Sequence, residues 1–139
     1  MSSIGKESFS NVTEPLFLLD SNICIYLLEG RSERTRDRLQ ECAPGEVVTS
    51  AIVFAEVKRG IDPADLPAIE NVGRFFELIQ PLPFDQAAAD AYARIPCRRA
   101  RFDRLIAAHA LALDLTIVTA NEADFADIAA LRVENWTRL

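Results

Sequence analysis

The stretch LFLLDSN, residues 16–22, decides how this chain is read. Its apolar run is too short for a helix and suits a buried strand. That strand runs straight into Asp20, Ser21 and Asn22. A carboxylate at this junction is expected where strand ends line a crevice, so the rest of the chain is read for matching junctions.

Working outward, NICIYLLEG (22–30) reads as a helix with Ser21 or Asn22 as its N-cap and Gly30 at its stop. RSERTRDRLQEC (31–42) is a charged surface helix broken by Pro44 and Gly45. EVVTS (46–50) is a second strand, and the helix SAIVFAEVKRG follows, capped by Ser50 and ended at Gly60. Residues 64–77 are helical in pattern despite Pro67 and Gly73, and a third strand falls near Leu78 to Leu82. DQAAADAYARI (85–95) is a helix that must stop ahead of Pro96. FDRLIAAHALAL (102–113) is the clearest helix; Asp114 ends it, LTIVT (115–119) is a fourth strand, and LRVEN (131–135) offers a fifth. A short turn or helix around 123–128 lies between the last two.

Short apolar strands alternating with helices predict an α/β fold with a parallel sheet covered on both faces. Ligands of such sheets bind outside the carboxyl ends of the strands. Asp20 then sits at the mouth of the binding crevice.

The 139 residues suit one domain, with residues 1–14 a loose polar leader and 15–139 the folded unit. No apolar run reaches the roughly 20 residues of a membrane span, and the leader lacks a signal-peptide core. The three cysteines, Cys24, Cys42 and Cys97, are odd in number and far apart. That excludes a disulfide framework or a CxxC zinc site and suits a reducing cytoplasm. The net charge of −6 speaks against a broadly basic nucleic-acid surface. Five of the 15 Lys and Arg nevertheless gather in RIPCRRARFDR (94–104). A charge run of this kind is ordinarily a solvated face.

Three further acids look out of place. Glu56 sits among apolar neighbours in TSAIVFAEV and is expected to be buried, which is costly unless it is paired or coordinates a metal. Asp103 opens a helix and Asp124 follows a strand; alone, these are a helix-start acid and a turn residue. With Asp20 they make a set that a parallel sheet could bring to one edge. Like charges gather there only with compensation. Oxygen ligands alone point to Mg²⁺, with Mn²⁺ as a substitute, and away from zinc, since His109 is the one histidine. His109 itself lies in an apolar helix and reads as a satisfied, partly buried core residue. Asn22, Thr119 and Asn121 flank the acids and could hold them, or a metal-bound water, by hydrogen bonds.

The pieces LLDSNICIYLL, SAIVFAEVKRG, FDRLIAAHALAL, LTIVTANEADF and LRVENW, in this order from about residue 16 to 137, resemble the PIN-domain family, and within it the VapC toxins of bacterial toxin–antitoxin pairs. The resemblance implies an α/β/α sandwich with a central parallel sheet of four to five strands. It implies a Mg²⁺-dependent endoribonuclease, commonly a homodimer, held inactive by a small VapB-type antitoxin, with a tRNA as a plausible target. Asp20, Glu56, Asp103 and Asp124 match the family's acids, with Glu122 the competitor for the fourth place. The chain departs from the family pattern at Ala120-Asn121, where Asn-Asn is common, and in the short segment before Asp103. The arginines Arg98, Arg99, Arg101 and Arg104 are expected to hold RNA phosphates. Two rivals share the fold, a catalytically silent PIN binding module and a structure-specific DNA nuclease. A phospho-receiver domain would need a lysine at a later strand end, and Lys6 and Lys58 follow no strand.

Overall fold

The computed structural model describes residues 13–96 and 101–138, and for Arg101 the backbone alone. Most of the expected leader, together with Cys97, Arg98 and Arg99, therefore lies outside the described residues.

Five parallel strands form one sheet in the order β3-β2-β1-β4-β5. They are β1 (Phe17–Leu19), β2 (Val47–Ser50), β3 (Pro81–Leu82), β4 (Thr116–Val118) and β5 (Val133–Glu134). Leu18 and Leu19 of β1 are fully buried, beside Val48 and Thr49 on one side and Ile117 and Val118 on the other. Continuous apolar runs without alternation are what a sheet covered on both faces requires. The helices that flank it are α1 (Ser21–Glu29), α2 (Glu33–Gln40), α3 (Ala51–Arg59), α4 (Leu66–Leu78), α5 (Gln86–Arg94) and α6 (Arg101–Leu113).

The chain steps outward from β1 to β2 and β3, then crosses to the other side of β1 to lay down β4 and β5. The strand order reverses between β1 and β4. The crevice at their carboxyl ends is the place where sheets of this kind bind ligands.

Local chemistry explains most helix ends. The caps are side-chain oxygens bonded to first-turn amides: Ser32 for α2, Ser50 for α3, Asp65 for α4 and Asp85 for α5. Pro67 falls in the first turn of α4, where its missing N–H costs nothing. Gly30 closes α1 at φ 67°, a backbone region that favours glycine. The Gly30 and Arg31 amides bond back to the carbonyls of Leu27 and Tyr26. Asp114 closes α6 in the same way at φ 58°, held by Arg132 on its carboxylate and its carbonyl.

Two expectations are corrected. The cap of α1 is Asp20, not Ser21 or Asn22, because its carboxylate reaches the Ile23 amide. The third strand is only Pro81–Leu82, since α4 runs on through Leu78.

Candidate active site

Asp20 is the first residue after β1. Its amide donates to the Val118 carbonyl of β4 at 3.0 Å, and its Oδ1 accepts the Ile23 N–H at 3.0 Å. The Thr119 hydroxyl also donates to this carboxylate. The residue is only 4% exposed. Burial pushes its pKa from the ordinary 3.8 up to about 6; the hydrogen bonds oppose that rise, and the charges of Asp103 and Glu56 reinforce it.

Glu56 lies on the second turn of α3 and is half-buried rather than enclosed, which corrects the expectation of full burial. Its Oε1 accepts a hydrogen bond from Ser21 Oγ on α1. Asp103 lies in the first turn of α6, also half-buried. Burial raises its pKa first, then the charges of Asp124 and Glu56, while Arg104 pulls it down. Asp124 is exposed, in the 3-10 turn Glu122–Phe125 that follows β4. Buried Phe125 anchors that turn in the core.

Four separate segments thus bring these acids into one neighbourhood: Asp20 feels the charges of Asp103 and Glu56, and Asp103 feels those of Asp124 and Glu56. Glu122 is not among the acids that raise Asp20 or Asp103. It is held instead by Asn135 at 3.0 Å and by Arg138, which keep its pKa below the usual carboxylate range.

The flanking polar residues divide. Thr119 is buried; its Oγ1 accepts the Asn121 amide at 3.1 Å while its hydroxyl orients Asp20. Asn121 and Asn22 are exposed, and neither side chain bonds an acid among the described residues. Ser21 was read from sequence only as a cap, and its bond to Glu56 had no signal beyond its place beside Asp20.

Arg104 corrects a second expectation. It is 5% exposed, and its guanidinium grips Asp127 with two bonds of 3.1 and 2.9 Å, then the Asp124 carbonyl at 3.0 Å. Occupied and buried, it is not presented to RNA. A sequence signal for this existed: at helical spacing Arg104 shares a face with the buried Ala107 and Ala108. The side chain of Arg101, like Arg98 and Arg99, lies outside the described residues.

His109 is 1% exposed, more deeply buried than expected, and its Nδ1 lies 2.8 Å from Ser50 Oγ. Burial depresses its pKa. This serine–histidine contact is not a nucleophilic pair, because both residues are sealed in the core and Ser50 Oγ already caps Ile52.

The donor set fits a hard divalent ion. All four side chains offer carboxylate oxygen, and neighbouring like charges add to the burial that raises Asp20 and Asp103. Among the described residues no group of three acid, His or Cys side chains is close enough to hold an ion. The fit therefore rests on the oxygen chemistry of the donors, and Mg²⁺ takes few protein ligands and keeps several waters. An apolar groove of about 300 Å³, lined in part by Ile25, Leu28, Val57 and Ile61, runs up to Glu56.

Comparison with known proteins identifies the family. The profile described as PIN domain matches residues 17–131. The chain is 31% identical over 130 residues to the tRNA(fMet)-specific endonuclease VapC of Shigella flexneri, covering 87% of this chain and 98% of that protein. It is 29% identical to Ribonuclease VapC2 of Haemophilus influenzae, over 86% and 97% of the two. A chain in the crystal structure of DNA-bound VapBC from Salmonella typhimurium superposes with a TM-score of 0.79 at 27% identity, over 88% and 98%. One in VapBC2 from Rickettsia felis, bound to a promoter DNA fragment, does so with the same score at 25% identity, over 87% and 98%.

Proposed function

Since the chain belongs to the PIN-domain family, and within it to the VapC ribonucleases, we propose that it is a VapC-type toxin that cuts RNA with a divalent metal ion and is neutralised by a cognate VapB-type antitoxin. The observation that supports this most is the convergence of four carboxylates from four segments on the crevice between β1 and β4.

In this reading Asp20, Glu56, Asp103 and Asp124 hold Mg²⁺, for which Mn²⁺ can substitute. When bound, such an ion supplies a water of lowered pKa and positive charge at the scissile phosphate. The chain's residues divide the remaining work. Asp20 is fixed by Ile23, Thr119 and Val118, so its orientation is set before any ligand arrives. Ser21 aims Glu56 across from α1. Asp124 is the most exposed of the four carboxylates, while Glu56 and Asp103 are half-buried. No covalent intermediate is needed in this reading.

The substrate we assign is RNA, with a tRNA first among targets because the Shigella flexneri relative is named for one. Arg98, Arg99 and Arg101 are the proposed phosphate contacts, and Arg104 leaves that set. A cytoplasmic homodimer is the proposed working form; no helix among the described residues is long and apolar enough to cross a membrane.

The test is cleavage of a labelled tRNA pool by the purified, antitoxin-free protein in Mg²⁺, in Mn²⁺, in EDTA, and with Asp103→Asn. Metal-dependent cutting that the variant loses by about 10²-fold or more supports the reading. A folded protein that cuts no RNA with either ion overturns it.

A further inference from the structure

The bond from Arg104 to the Asp124 carbonyl joins two parts of the candidate site that are far apart in sequence. Arg104 is the residue after Asp103 on α6, so its backbone is as fixed as that acid's. Its guanidinium makes a two-point contact with Asp127, three residues beyond Asp124. The same Nη2 that meets Asp127 also meets the Asp124 carbonyl, near the end of the 3-10 turn, where carbonyls lack partners of their own. A planar fork in this geometry fixes direction as well as distance. Arg104 Nε is buried without a partner among the described residues, so the group is held for its position and not for complete hydrogen bonding.

We propose that Arg104 and Asp127 form a positioning clamp that sets the separation of Asp103 on α6 from Asp124 on the turn after β4. This rests on the metal-dependent nuclease reading above. The clamp is not a metal ligand and touches no substrate; it acts by holding the exposed Asp124 turn against α6. Asp124 is the most exposed of the four acids and, among the described residues, has no side-chain hydrogen bond of the kind that fixes Asp20 or Glu56. Its orientation therefore depends on its backbone.

The experiment separates position from stability. Arg104→Met with Asp127→Leu replaces an ion pair between buried Arg104 and half-buried Asp127 by apolar side chains, a change that proteins often tolerate without loss of fold. The full-length double variant is checked for cooperative melting. Two quantities are then read: Mn²⁺ binding, from the loss of the free-ion paramagnetic resonance signal, and kcat and KM for RNA cleavage. The expected result is several-fold weaker Mn²⁺ binding and a kcat lowered by about 10²-fold, as a displacement near 1 Å can cause, with KM for RNA nearly unchanged. Should the double variant not fold, Arg104→Lys carries the same test, since an ammonium cannot reproduce the fork. Wild-type Mn²⁺ affinity and kcat in a folded variant overturn the proposal. So does unchanged kcat with a raised KM and a flatter salt dependence, which would return Arg104 to phosphate binding. Asp124→Asn is run alongside. If that variant binds Mn²⁺ and cuts RNA as the wild type does, the nuclease site itself is misassigned; if it fails while the clamp variants are normal, only the clamp is wrong.

Discussion

The Asp20 amide donates to the Val118 carbonyl, so the first acid of the candidate site is tied to the strand that leads to Asp124. Neighbouring parallel strands thereby place two distant carboxylates at one edge. The charge gathered there has consequences that can be measured.

The first concerns pH. The folded-state pKa of Asp20, about 6, lies above its ordinary 3.8, and that of Asp103 is raised as well. Between those values the folded form binds more protons than the unfolded chain. Metal-free protein should therefore lose stability as pH rises from about 4 to 7, by about 3 kcal/mol for Asp20. Urea unfolding in EDTA at a series of pH values would show this. A stability that instead climbed steadily across the window would contradict it.

Asp20→Asn should separate stability from activity. The amide oxygen still caps the Ile23 N–H, while the buried charge is gone. Thermal melts in EDTA at pH 8 should show a gain of about 1–3 kcal/mol. RNA cleavage should fall by about 10²-fold or more, and the pH dependence of stability should flatten.

Ser21 is expected to matter to catalysis out of proportion to its size. Removing its hydroxyl frees Glu56 from the one side-chain hydrogen bond recorded for it. Ser21→Ala should lower kcat about tenfold, with little change in melting temperature. Ser21→Thr should keep most activity, since its hydroxyl can take the same bond. Equal activity for the alanine and threonine variants would show that Glu56 needs no aiming.

Gly30→Ala tests the backbone alone. No atom lies within 4 Å of the added methyl, so any cost comes from the left-handed φ of 67°. Chemical denaturation should report a loss of about 1–2 kcal/mol, with cleavage unaltered.

The five strands and six helices were legible in the sequence because their signals are local. Run length separates LTIVT from FDRLIAAHALAL, and caps and prolines mark the ends. The gathering of the acids could be argued as well, since parallel topology sends every strand end to the same edge. The side chains that aim those acids could not. Ser21 reaches Glu56 across 35 residues of chain, a contact that no periodicity encodes. Arg104 differs from expectation for another reason. In sequence it stands among arginines, yet helical spacing sets it on the buried face of α6 with Ala107 and Ala108.

The short β4 carries a consequence for how activity first arises. Thr116–Val118 must dock beside β1 before Asp20, already synthesised some hundred residues earlier, acquires its bonds to Val118 and Thr119. A nascent or truncated chain that stops short of β4 holds three of the acids without the strand that orders them. Pairing of this sequence separation forms late and slowly. The crevice is therefore incomplete until β4 emerges, with only about two dozen residues still to come, and an inhibitor has until then to be waiting for it.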